Sequence, residues 1–397
     1  MLLFLMSYLD QLGYDFQRVF GYYSTRIILS SLTALAISIF LGPFFIRRLY
    51  SLKIGQPIRK DECPMLGELH KKKENTPTMG GVLMLFSILI SGFLWMDLTH
   101  AFSLILIITT IFLGLVGGYD DYLKLKYRNS KGLSSRYKFL LQSVLALFLA
   151  SYLLLPFVSQ FLLDLIPHTI PQARAWGGDG TVSLNMVEYI SRIYIPFMKN
   201  PIVILAGWKM IFMLVLILLV LVGTSNAVNL TDGLDGLAAG HLFMVSLVMA
   251  IFAFISNNIE IAKYLNLLYI EGSGEIAIYL GAMAGACLGF LWYNGYPAQL
   301  FMGDTGSLAL GGILGVSAIL LRREVLLALV GGIFVMEALS VIIQVFSFKV
   351  FKRRVFLCSP IHHHFEYKGW HELKVVLRFW IIGFLLAIIG VASLKFQ

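Results

Sequence analysis

The sequence predicts an all-α fold, a polytopic transmembrane helical bundle of about ten helices, and three observations lead there. Only 13% of the 397 residues are charged and 58% are hydrophobic, whereas a soluble domain carries about 25% charged residues. Apolar stretches close to the roughly 20 residues that cross a bilayer recur from one end of the chain to the other. Lys and Arg gather in alternate connections between those stretches, the asymmetry that sets orientation in a membrane.

In chain order the apolar segments fall at 25–46, 80–97, 101–118, 138–160 and 207–224, then at 237–256, 275–293, 306–321, 325–348 and 375–394. The first ends at Arg47-Arg48. The second and eighth are the shortest and meet their neighbours through very tight turns. The third runs out at Gly117-Gly118, and the seventh at Asn294-Gly295. The ninth carries Glu337 and Gln344, whose spacing puts them on one helical face. An acid inside a membrane span is a functional candidate by default, and a buried hydrogen bond is its plainer use.

One integral membrane domain, 1–397, is expected, with both termini extracytoplasmic. The cytoplasmic loops are then 46–79, 119–138, 225–236, 294–305 and 349–375. The first two and the last hold most of the 31 Lys and Arg, so the net charge of +9 reflects topology and not nucleic-acid binding. Residues 161–206, with Pro167, Pro171, Gly177, Gly178 and Gly180, are expected as an extracytoplasmic loop with a short hairpin and no chemistry. No internal repeat is evident, so the inverted-repeat signature of many transporters is missing. Cys63, Cys287 and Cys358 show neither paired nor metal-ligand spacing. The first 20 residues lack a basic start and a small-residue cleavage site, so no signal peptide is expected there.

With this topology, four unusual stretches reach the same face. Asp120 and Asp121 are adjacent carboxylates at the end of a span, with Lys124 on the next turn. They repel one another unless a cation offsets them, so the choice lies between a solvated helix end and a magnesium or phosphate site. The run Asn226-Ala227-Val228-Asn229-Leu230-Thr231-Asp232-Gly233-Leu234-Asp235-Gly236 contains no Lys or Arg. Asp-Gly pairs make tight turns, but two of them beside two Asn also offer oxygen ligands and donors to a polar substrate. Asn294 to Ser307 places Asp304 between glycines just before a helix, as an N-cap or as a carboxylate that a ligand can approach closely. The run Ser359-Pro360-Ile361-His362-His363-His364-Phe365-Glu366 suits phosphate contact or proton handling better than zinc, because consecutive His side chains cannot converge on one ion.

Taken together, these stretches resemble the polyprenyl-phosphate N-acetylhexosamine-1-phosphate transferases, and within them the phospho-MurNAc-pentapeptide translocase branch. The resemblance runs from about Gly55-Gln56-Pro57-Ile58-Arg59 to the last helix. It includes Thr76-Pro77-Thr78-Met79-Gly80-Gly81, Asp120-Asp121 with Lys124, Asn226 to Gly236, Phe301 to Ser307, and the Pro-x-His-His-His-Phe-Glu stretch. The last of these favours the MurNAc branch over the GlcNAc-1-phosphate branch. Asn75, Cys63 and Gly295 depart from the pattern, and 161–206 is longer than usual; none of these is a charged motif position.

The resemblance implies transfer of phospho-MurNAc-pentapeptide from UDP-MurNAc-pentapeptide to undecaprenyl phosphate, giving lipid I and UMP, with Mg2+ as cofactor. It also implies a homodimer in the bacterial cytoplasmic (inner) membrane. Asp304, Asp120 and Asp121 are the implied metal set and, with His362, the catalytic set. Lys73 and Lys124 are implied for phosphate, and Thr78 for substrate binding. Asn229, Asp232, Asn294, Phe301 and Gln344 are implied for the nucleoside end, Asn226, Gly233 and Asp235 for substrate binding more generally, and His363 and His364 for the sugar diphosphate or acceptor phosphate. Two mechanisms are open, direct attack by the lipid phosphate and a covalent intermediate on Asp304. Direct attack is favoured, because a phosphate monoester with a second pKa of about 6 is already ionised at pH 7. Alternatives are a sister enzyme for another UDP-N-acetylhexosamine and an ion-coupled transporter.

Overall fold

The computed structural model describes residues 18–51, 76–127, 132–177 and 180–395. Its helices are α1 (Tyr23–Ser51), α2 (Gly81–Trp95), α3 (Ala101–Tyr127), α4 (Ser135–Leu154), α5 (Pro156–Leu165), α6 (Met186–Ile190) and α7 (Met210–Thr231). They continue as α8 (Leu237–Ser256), α9 (Ile259–Tyr264), α10 (Ser273–Asn294), α11 (Gly303–Leu321), α12 (Glu324–Val330), α13 (Gly332–Phe351), α14 (Ile361–Tyr367) and α15 (Glu372–Ala392). Among the described residues, nine helices are long and apolar enough to cross a bilayer, and the 15-residue α2 is a shorter apolar helix. Spans are helical because lipid offers no partner for backbone N–H and C=O, so each must close its own hydrogen bonds.

Two predicted segments are broken. The 138–160 stretch ends its helix at Leu154, and Pro156 opens α5 at a position where its missing N–H costs nothing. The 325–348 stretch is interrupted at Gly331, between α12 and α13. Within 161–206 the expected hairpin is present as β1 (Ala173–Gly177) antiparallel to β2 (Gly180–Leu184). Two later short strands, β3 (Arg192–Ile193) and β4 (Val203–Ile204), pair with each other, and β5 (Tyr269–Ile270) adds to β1.

α10 and α11 are the centre of the bundle, with 83% and 94% of their spans buried. Association inside lipid depends on close packing, and small residues permit it. Gly281, Gly285 and Gly289 line one face of α10, and a Cβ at Gly285 would lie 2.0 Å from the Ser31 carbonyl oxygen of α1. At one end of the pair, Arg26 Nη2 of α1 donates to both carboxylate oxygens of Glu275 of α10 (2.7 and 2.9 Å), and Glu275 also accepts from the Asp97 N–H.

Every described motif lies at the other end. There the extended segment leading into α2 runs beside the chain leading into α11. The Phe301 N–H donates to the Pro77 carbonyl, the Gly80 N–H to Phe301 and the Gly81 N–H to Met302, at 2.7–2.9 Å. A Cβ at Gly81 would lie 2.1 Å from the Gly306 nitrogen, and one at Gly117 would lie 2.2 Å from the Asp304 carbonyl oxygen. Those two glycines let α2 and α3 touch the first turn of α11, which carries Asp304.

Candidate active site

Asp120 and Asp121 end the apolar part of α3, and both are buried. Adjacent residues on a helix point about 100° apart, so the pair divides. Asp120 faces the α3–α4 connection, where the Leu133 N–H donates to its Oδ1 at 2.6 Å. The connection can fold over the carboxylate because of Gly132, whose φ is +52° and whose Cβ would lie 2.5 Å from Asp120 Oδ1. Asp121 faces α11 and accepts from its first turn.

Asp304 sits in that first turn and does not cap it; its carboxylate turns to two lysines. Lys124 Nζ lies 2.6 Å from Asp120 Oδ2 and 3.1 Å from Asp304 Oδ1. Lys138 Nζ, from the first turn of α4, lies 3.0 Å from Asp120 Oδ2 and 2.5 Å from Asp304 Oδ2. Two carboxylates and two ammonium groups thus alternate around one small space. A buried charge left without its partner costs about 3–5 kcal/mol, so the two lysines offset what Asp120, with no exposure, would otherwise lose.

One carboxylate oxygen from each of Asp120, Asp121 and Asp304 lies within 4.8 Å of the other two. That donor set is hard oxygen only, and the partners of Asp120 Oδ2 are the cationic ends of Lys124 and Lys138. Both features suit a small divalent cation such as magnesium.

Asp232, half-buried just beyond α7, completes the acidic rim. Withdrawal from water, followed by the charges of Asp304 and Asp121, pushes its carboxyl up to about 7, while a hydrogen bond from the Gly303 N–H acts in the opposite direction. Beside it, Gly233 touches His362: a Cβ there would lie 2.3 Å from His362 Nε2. His362 is fully buried, and its Nδ1 lies 3.1 Å from Glu337 Oε2 of α13. The intramembrane acid and the first His of the triplet therefore form one unit against the Asp232-Gly233 turn.

A family model for Glycosyl transferase family 4 matches residues 103–322, and the Phospho-N-acetylmuramoyl-pentapeptide-transferase signature 1 matches residues 73–85. The chain is 59% identical to a phospho-N-acetylmuramoyl-pentapeptide-transferase of Protochlamydia amoebophila, over 100% of both chains. It is 46% identical to the corresponding protein of Desulfotalea psychrophila, over 96% of this chain and 95% of that one. The chain belongs to the phospho-N-acetylmuramoyl-pentapeptide-transferase family.

Within this family member, the remaining motif residues divide between the cluster and its frame. Thr78 borders the cluster, with its Oγ1 2.9 Å from the Cβ position of Gly303. The Asn229 amide donates to Ser307 Oγ at 2.8 Å, tying α7 to α11. The Asn226 amide donates to Gln142 Oε1 at 2.7 Å and to the Val222 carbonyl, inside the bundle. Asp235 accepts from the Ala298 N–H, and Asn294 accepts from Gly236 N–H while donating to the Leu300 carbonyl, so these two hold the loops together. Phe301 is half-buried, and its backbone is engaged by Pro77 and Gly80.

Gln344 is occupied by the loop that follows its own helix. Its Oε1 accepts from the Val355 and Phe356 N–H groups, and its Nε2 donates to the Phe356 carbonyl. The His triplet splays as consecutive helical residues must. His363 Nδ1 lies 2.6 Å from Glu366, and His364 Nδ1 accepts from the Leu357 N–H at 3.1 Å. Partial burial and then Lys368 lower the His364 pKa. Lys73 lies outside the described residues. The sequence reading omitted Lys138 from the site and left Glu337 without a partner.

Proposed function

We propose that this chain transfers phospho-MurNAc-pentapeptide from UDP-MurNAc-pentapeptide to undecaprenyl phosphate, yielding lipid I and UMP, at the cytoplasmic face of the bacterial inner membrane. The observation that carries this is the alternating Asp120–Lys124–Asp304–Lys138 cluster at one end of a membrane bundle of this family. A water-soluble nucleotide and a lipid whose phosphate lies at headgroup depth can meet only at such a boundary.

The bond changes balance without a redox partner. An oxygen of the lipid phosphate attacks the phosphorus attached to the sugar, a new P–O–P linkage forms, and the old linkage breaks to release UMP. The nucleophile is already ionised, since its second pKa is about 6. Positioning and charge neutralisation therefore supply most of the acceleration. Asp304 and Asp120 would hold Mg2+, which when bound neutralises diphosphate oxygens and polarises the phosphorus. Lys124 and Lys138 add positive charge at the transferring phosphate. His362, fixed by Glu337, presents its Nε2 edge beside Asp232-Gly233, where the sugar diphosphate is expected. Asn229, Asp232 and Phe301 lie at or near the nucleoside end.

Purified protein mixed with undecaprenyl phosphate tests the assignment. UMP is expected from UDP-MurNAc-pentapeptide and not from UDP-GlcNAc. Release from UDP-GlcNAc alone would move the chain to the sister activity, and no UMP from either would remove the enzyme reading.

A further inference from the structure

The first turn of α11 has no side-chain cap of its own. An α-helix leaves its first N–H groups without partners, and burial makes that costly. Here the partner comes from 183 residues away. Asp121 Oδ1 accepts from the Asp304 N–H at 3.2 Å, and Oδ2 accepts from the Thr305 N–H at 2.9 Å and from the Thr305 hydroxyl at 2.7 Å. Asp121 is 3% exposed. Room for it exists because residue 303 is glycine: a Cβ there would lie 2.8 Å from Asp121 Oδ2, and its φ is +74°.

We propose that Asp121 is a positioning residue, an N-cap supplied by another helix of the same chain that fixes the helix turn carrying Asp304, and not itself a cation ligand. Two bonds occupy Oδ2 and a third draws on Oδ1, so both oxygens are committed to α11. Asp120 differs in what engages it: its Oδ1 accepts from the Leu133 N–H, but the partners of its Oδ2 are the ends of two flexible lysine side chains and not the backbone of α11. A negative cap also complements the positive end of the helix. The acidic pair thus combines two roles: Asp120 opens toward the reacting space, and Asp121 turns away to hold the residue opposite. A ligand fixed by a buried neighbour is presented in one geometry, which is what tight cation binding needs.

The inference rests on Asp304 being the cation ligand proposed above, and the test separates the two. Amide hydrogen exchange at residues 304 and 305, followed by mass spectrometry on metal-free full-length protein, reads the cap. Mn2+ binding, followed by its EPR signal, reads the ligand. Asp121→Asn keeps one accepting oxygen, so slow exchange should persist at Thr305, whose N–H and hydroxyl share a single carboxylate oxygen, and Mn2+ affinity should stay within about three-fold. Asp121→Ala should speed exchange at both amides roughly ten-fold, as expected for a lost cap, and lower kcat more than it raises KM. If Asp121→Asn loses Mn2+ as completely as Asp304→Asn while the Thr305 amide stays protected, Asp121 is a ligand and the proposal is wrong. Unchanged exchange in Asp121→Ala would overturn it equally. Should the alanine variant not fold, the Asn variant alone still decides between cap and ligand. Wild-type protein that binds no Mn2+ would overturn the reading of Asp304 instead, and exchange would still judge the cap.

Discussion

Lys138 Nζ lies 2.5 Å from Asp304 Oδ2, although 166 residues separate the two in the chain. A lysine in the first turn of a helix meets the positive end of the helix dipole. Lys138 accepts that cost at the start of α4 and sits within ion-pair distance of two carboxylates. Lys138→Gln should keep the fold, since Lys124 still bridges Asp120 and Asp304. Turnover, measured as UMP release, should fall roughly 100-fold, the usual effect of losing one preorganised charge-stabilising donor. Near-wild-type turnover would mean that Lys138 serves only to neutralise Asp304.

The contact between Gly233 and His362 predicts a non-additive pair. Gly233→Ala places a methyl 2.3 Å from His362 Nε2, an overpacking that costs about 1–3 kcal/mol. In a His362→Ala background that clash has no partner, so the same substitution should then barely change the melting temperature. Additive losses in the double variant would show that Gly233 is required for its backbone and not for the approach of His362.

Asp232 predicts a pH signature. Its folded pKa of about 7 lies above the ordinary value of 3.8, so between those values the folded state holds more protons than the unfolded one. Stability then falls as pH rises through that window and levels off above it. Asp232→Asn removes the slope. The variant's melting temperature relative to wild type should therefore climb from pH 5 to pH 8, and a constant difference would contradict the shift.

Much of the fold was legible because lipid imposes a single rule, and apolar length reports obedience to it. The breaks at Pro156 and Gly331 were not, since both lie within continuous apolar runs and depend on how α5 and α12 pack. In the site, the acids stood out because charge is rare in this chain. Lys138 did not, because it belonged to a basic loop that topology already accounted for; its place at a helix start was the signal available. Gln344 shares a face with Glu337 by spacing, yet Val355 and Phe356 in the loop after α13 capture its amide, a contact no periodicity reveals. The division between Asp120 and Asp121 follows from the 100° step, but which of them faces α11 depends on Gly117 and Gly303.

Cys358 gives a direct test of sidedness. It is partly exposed at the motif end, and Cys287 is fully buried. In a Cys63→Ser background, an impermeant maleimide should label Cys358 in inverted vesicles and not in intact cells. Labelling from outside would place the acidic cluster on the wrong face for a cytoplasmic nucleotide.

Asp304 is proposed to hold the divalent cation for phosphoryl transfer. UMP release by Asp304→Asn across a magnesium titration tests this role most directly. The substitution keeps an oxygen and removes the charge, and capping is not at stake because Asp121 supplies it. Activity should collapse at magnesium levels that saturate the wild type and recover in small part as magnesium rises, with the melting temperature little changed. Near-normal turnover at ordinary magnesium would contradict the account, because the cluster would then be a structural ion-pair network and the chemistry would lie elsewhere.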